Sequence, residues 1–216
     1  MLRILTLNEG TIVKKIDELG FESGIIYETI ITSLDRLGKP HAATMGALFE
    51  KTSDSVLFKI KAYPLSKTGE NLLLTPFGVL NVTDPELLVE AALDLCANFD
   101  YAESNSIKVP RLSRATAWIE FRVINTSKHD ELIEFTCSPV YVGHLEVKPK
   151  PYTRAVFALI EAAIHASRIK PYKNMGLIDK ASELCESAKK YLEIVEKVAP
   201  NSRYASMARK IREKYL

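Results

Sequence analysis

Two short clusters in the first third of the chain carry most of its chemical content. The run Leu65-Ser66-Lys67-Thr68-Gly69-Glu70-Asn71-Leu72 sets two hydroxyls, an ammonium and a carboxamide together where a new helix is expected to begin. A helix start offers unpaired amides and the positive end of the helix dipole, so Ser66, Lys67, Thr68 and Asn71 suit a phosphate. Ser66 also reads as a plain N-cap, a position where serine is preferred for local reasons. Upstream, Ala42-Ala43-Thr44-Met45-Gly46 strips side-chain bulk from a strand. That brings backbone amides within reach of a flat ring edged with acceptors. Tight strand packing alone would favour the same small residues.

Three further features carry polar groups. Asn81 interrupts the apolar run Phe77-Gly78-Val79-Leu80-Asn81-Val82 and must find partners, either in a ligand pocket or on neighbouring backbone. Trp118 stands in a strand beside Glu120 and Arg122 and reads as core or dimer interface. Arg154, Glu161, His165 and Arg168 fall at helical spacings and share one face of an Ala- and Ile-rich helix. Arg154 and Arg168 could hold an anionic substrate or phosphate, with His165 as a proton donor tuned by Glu161. An ion pair docking one domain on another uses the same residues.

The elements needed to position these groups are mostly strands from Gly24 to Val147. Ile25 to Ser33 and His41 to Glu50 make a hairpin across a turn containing Gly38. Val56 to Ala62 alternates apolar residues with lysine, and Phe77 to Val82 reads as a strand buried on both faces. Thr83-Asp84-Pro85-Glu86 starts a helix running to about Cys96. Strands at Ala115 to Asn125 and Glu131 to Tyr141 follow, separated by a polar turn at Thr126 to Asp130. Short helices between about six strands point to an antiparallel barrel, which leaves few exposed edges. Lys148-Pro149-Lys150-Pro151 then marks a domain boundary. Beyond it lie a helix from Tyr152 to Lys170 ended by Pro171, a long amphipathic helix over Leu177 to Val198 stopped by Pro200-Asn201-Ser202, and a last helix, Arg203 to Leu216, which the same three residues cap. The expected organisation is α+β, a mainly β barrel over 1–148 and a helical domain over 149–216.

Composition sets the outer bounds. With 216 residues, 47% apolar and 26% charged, the chain is an ordinary folded one. A net charge of +2 calls for neither nucleic acid nor an anionic membrane. The apolar start Met1 to Leu7 is broken by Arg3, so no secretory leader is expected, and no apolar run approaches transmembrane length. Cys96, Cys137 and Cys185 are too scattered for a disulfide framework or a zinc site and read as buried thiols in a reducing cytoplasm. Dinucleotide, P-loop, nucleophile-elbow and zinc-protease motifs are missing. Arg203, Arg209, Lys210, Arg212 and Lys214 form a basic tail without interleaved aromatics on one face.

The two clusters, with Tyr27-Glu28-Thr29-Ile30-Ile31-Thr32 before them, resemble the FMN-binding split-barrel, flavin-reductase-like superfamily. They are most similar to a mainly archaeal branch carrying Y-E-T-I-x-T, N-A-A-P-M-G and S-K-T-x-x-N-L. His41 replaces the usual Asn and Thr44 the usual Pro. The resemblance covers about the first two thirds of the chain, and the helical stripe is similar to that branch too. It implies bound FMN, with Ala43, Thr44, Met45 and Gly46 along the ring, Ser66, Lys67, Thr68 and Asn71 on the phosphate, and Asn81 as a further contact. It implies a homodimer with the cofactor at the subunit junction and hydride or electron exchange at the flavin N5 with a small molecule, while the absence of ligand-like companions around His129 and His144 predicts no metal. Two alternatives stand beside it. One is a non-catalytic FMN carrier or sensor; the other is a nucleic-acid or protein interaction module built on the C-terminal helical hairpin.

Overall fold

The computed structural model describes residues 7–21, 23–24, 26–93, 99–129, 131–146, 154–200 and 202–216, and not the side chains of Arg154 and Val198. The expected linker at 148–151, the helix end near Cys96, Cys96 itself and the Arg154 side chain lie outside the described residues. In chain order the first elements are α1 (Glu9–Glu18), β1 (Ile26–Leu34), β2 (Pro40–Lys51), β3 (Val56–Ala62), α2 (Lys67–Leu74), β4 (Phe77–Val82) and α3 (Pro85–Leu93). Then come β5 (Tyr101–Ala102), β6 (Arg111–Leu112), β7 (Ala117–His129), β8 (Leu132–His144), α4 (Arg154–Asn174), α5 (Ile178–Val198) and α6 (Arg203–Tyr215).

Six strands close an antiparallel barrel in the order β1-β2-β3-β8-β7-β4, and β5 pairs with β6 separately. This is the α+β split barrel with C-terminal helices that the sequence predicts. The alternation in β3 turns Val56, Phe58, Ile60 and Ala62 inward and leaves Lys59 and Lys61 on the wet face. Phe49, Phe58, Phe121 and Phe135 are fully buried and fill the barrel. Phe58 stacks on Phe49 with centroids 5.3 Å apart and meets Phe121 edge-on at 5.1 Å. Burying each such side chain contributes about 2 kcal/mol, so the closure rests on this aromatic column.

Besides the small β5–β6 pair, which the sequence did not suggest, three elements differ from the expectation. α1 is additional: Asn8 caps it by accepting from the Thr11 amide at 2.8 Å, and Ile12 and Ile16 pack into the barrel core. The polar stretch Thr126 to His129 is strand, not turn, pairing Thr126 with Phe135 through His129 with Leu132. Its side chains are polar because this end of the ladder is solvent-exposed. Pro171 lies inside α4, which runs on to Asn174. Proline here costs a single ladder bond near the helix end. The chain then turns through Gly176 at φ 76°, with the Leu177 amide bonded to Tyr172 O at 3.0 Å.

Two compact units result: Met1–Asp84 with Asn98–Val147, and Pro85–Ala97 with Lys148–Leu216. The helical unit therefore takes in α3, drawn from between barrel strands. Its core joins Val89 and Leu93 of α3 to the alanine face of α4 and to Leu192, Val195, Met207 and Ile211. Among the described residues no helix is long and apolar enough to cross a membrane.

Candidate binding cleft on the barrel

α2 packs on β1 and β2, so the two sequence clusters are neighbours in the fold. Asn71, buried, donates from Nδ2 to Ser33 Oγ at 3.0 Å, and Ser33 is the register partner of His41. Between α2 and the β1–β2 turn lies a cleft of about 800 Å3, lined by Lys67 and Asn71 on one wall and by Arg36, Lys39 and His41 on the other. Ala43 to Gly46 lie further along β2, outside that lining. They are half-buried and pair only with β1, because the β2–β3 ladder begins at Ala47. Among the described residues no second strand pairs with this stretch, which suits a ring-edge contact. Gly46 also has a packing reason, since a Cβ there would meet Ile26 Cγ2 at 2.9 Å.

At the start of α2 the capping role of Ser66 is realised. Its hydroxyl accepts from the Gly69 amide at 3.1 Å and donates to Tyr63 O at 2.7 Å. The Glu70 amide returns to Ser66 O, so the amides of Lys67 and Thr68 are the ones left at the helix start. Thr68 is 2% exposed, and its Oγ1 has no hydrogen-bond partner among the described residues. Leaving a buried hydroxyl unpaired costs about 1–3 kcal/mol. Lys67 and Asn71 line the cleft while Ser66 and Thr68 do not; a phosphate oxygen beside those amides would satisfy the hydroxyl, so the residues fit the group the sequence implied.

The remaining candidates occupy different places. Asn81 is fully buried and serves the barrel: Nδ2 donates to Ile30 O at 3.0 Å and Val79 O at 3.1 Å, while Oδ1 accepts from the Leu112 amide at 2.8 Å. Both ends of its side chain are taken up by backbone. Trp118 is core, packed with Val79 and Val109 under the Arg111 guanidinium at 4.2 Å. In the helical unit Glu161 and Arg168 are exposed, and His165 stacks on Tyr191 with centroids 5.6 Å apart, its Nδ1 buried without a partner. In the basic tail, Arg203 pairs with Glu86 and Arg212 with Glu196, and the Lys214 ammonium donates to Leu93 O.

Glu120 had no place among the sequence candidates. It is fully buried, and its carboxylate accepts the amides of Asn105 at 2.6 Å, Ser106 at 2.7 Å and Ile107 at 3.0 Å. An acidic residue inside the apolar run Ala117 to Phe121 was the available signal. Burial pushes the Cys137 thiol well above its ordinary range, which marks it as a packing residue. Among the described residues no cluster of side chains could hold a metal ion.

A closed antiparallel barrel with a helix laid over its first hairpin, followed by a helical unit, places the chain in the split-barrel class. The chain belongs to the family described as "Protein of unknown function (DUF447)": the N-terminal family model matches residues 27–146 and a second model matches residues 153–213. Protein MJ1453 of Methanocaldococcus jannaschii is 30% identical over 145 residues, covering 62% of this chain and 71% of that protein. Among solved structures, the FMN-bound protein MM1853 from Methanosarcina mazei matches with a TM-score of 0.69 at 24% identity, over 92% of this chain and 98% of that one. Flavoredoxin from Methanosarcina acetivorans matches with a TM-score of 0.50 at 14% identity, over 56% and 69%.

Proposed function

We propose that this protein binds FMN, with the phosphate at the start of α2 and the ring along the Ala43 to Gly46 edge of β2, and that it is an FMN-dependent oxidoreductase. The observation that carries the reading is the buried, unpartnered Thr68 hydroxyl beside the Lys67 and Thr68 amides, on a helix packed against that strand. The FMN in its structural relative MM1853 supports it. Bound flavin would supply hydride or electron exchange at N5, and the protein supplies orientation, electrostatics and exclusion of water. Thr68 donates a hydrogen bond to the phosphate, Lys67 adds charge, and Asn71 braces α2 on Ser33 of β1. In this reading Ser66 acts through the helix it caps. Ile26, exposed beside Gly46 of β2, suits contact with a second copy of the chain, and light scattering would return twice the monomer mass.

The test is the visible spectrum and FMN affinity of the purified protein and of Thr68→Val. Losing one hydrogen bond to a charged group weakens binding roughly tenfold or more. Equal flavin content in the variant refutes the phosphate placement. Retained colour without reduction by any hydride donor would mean a carrier rather than an enzyme.

A further inference from the structure

Elsewhere on the barrel wall lies a separate cavity of about 350 Å3. Its floor is a single row of side chains: Phe77 of β4, Arg122 of β7 and Ser138 of β8, which are register partners, and Leu57 of β3. Their sequence neighbours Phe58 and Phe121 are fully buried, so the row projects outward. Ile12 and Glu9 of α1 close one side and Ile107 another. Ile107 is held in place, because its amide is one of those bound by the buried Glu120 carboxylate. The cavity is thus preformed, and most of the residues lining it are apolar, although its polar surface is nearly as extensive. Arg122 is its one cation, and no hydrogen bond or ion pair with a described residue engages its guanidinium.

A guanidinium at the edge of an apolar cavity recognises a planar carboxylate through paired hydrogen bonds. Cavities upward of about 300 Å3 hold compact organic ligands. The charge of Glu9 disfavours a second carboxylate. We propose that this cavity binds a small monocarboxylate with an apolar body about the size of one ring, its carboxylate on Arg122.

The experiment titrates 3-phenylpropionate, with 3-phenylpropanol as the uncharged control, into the purified full-length protein by calorimetry. The acid is expected to bind roughly tenfold more tightly than the alcohol, as a charge-assisted hydrogen-bonded pair allows. Arg122→Gln abolishes that preference, and Glu9→Gln strengthens acid binding about two- to threefold by removing a repulsive charge. Both side chains are exposed, so neither change threatens folding. Equal affinity for acid and alcohol, undiminished acid binding by Arg122→Gln, or no binding of the acid at millimolar concentration overturns the proposal. So does dissociation of an oligomer by Arg122→Gln, which would assign this face to a second copy of the chain.

Discussion

Replacing Glu120 with glutamine keeps the side-chain volume and exchanges one acceptor oxygen for a donor. The native carboxylate accepts from Asn105 through Oε1 and from Ser106 and Ile107 through Oε2. If the glutamine oxygen keeps Ser106 and Ile107, the new amine meets the Asn105 amide donor to donor; turned over, it meets two donors. At least one charge-assisted bond is lost, worth about 1.5–3 kcal/mol, and the survivors become neutral ones. The total is about 3 kcal/mol, which at roughly 2–4 °C per kcal/mol lowers the midpoint by about 6–12 °C. Trp118 is the chain's only tryptophan, and its Nε1 donates to Asn105 Oδ1 at 3.3 Å. Its fluorescence therefore follows the barrel unit and this loop during thermal melting, and hydrogen exchange at 105–107 gives a local readout. A midpoint within about 2 °C of wild type, below what 1 kcal/mol produces, together with unchanged exchange at those amides, refutes the reasoning.

Gly143→Ala is expected to cost about 1–3 kcal/mol through overpacking. A Cβ there would overlap the Trp118 ring, which is fixed by Asn105 and covered by Arg111. Urea melts followed by fluorescence check this, and a variant as stable as wild type shows that the indole can shift. Cys137 is fully buried with its thiol pKa pushed up, so it stays unmodified by iodoacetamide at pH 8 while half-buried Cys185 is alkylated. Mass spectrometry of the folded protein checks that order, and faster labelling of Cys137 contradicts the core packing.

Local periodicity alone marked β3 and β4 at the bounds the fold adopts, because alternation and apolar run length are set within six or seven residues. The helix starts at Ser66 and Ser202 were legible for the same reason, since each hydroxyl caps an amide three positions on. Family motifs in the sequence likewise pointed to the strand and helix that the fold places side by side. Partners distant in the chain decided the rest. Asn81 could have faced a ligand until β1 and β6 took both ends of its amide. Glu120 became a buried anchor only when β7 brought it under the 105–107 loop. The polar residues of β7 past Thr126 are strand because β8 supplies their ladder. α3 left the barrel strands for the helical core because its apolar face finds α4 there. A sequence states which groups need partners; the meeting of distant segments decides which group each one finds, and it left the Thr68 hydroxyl with none.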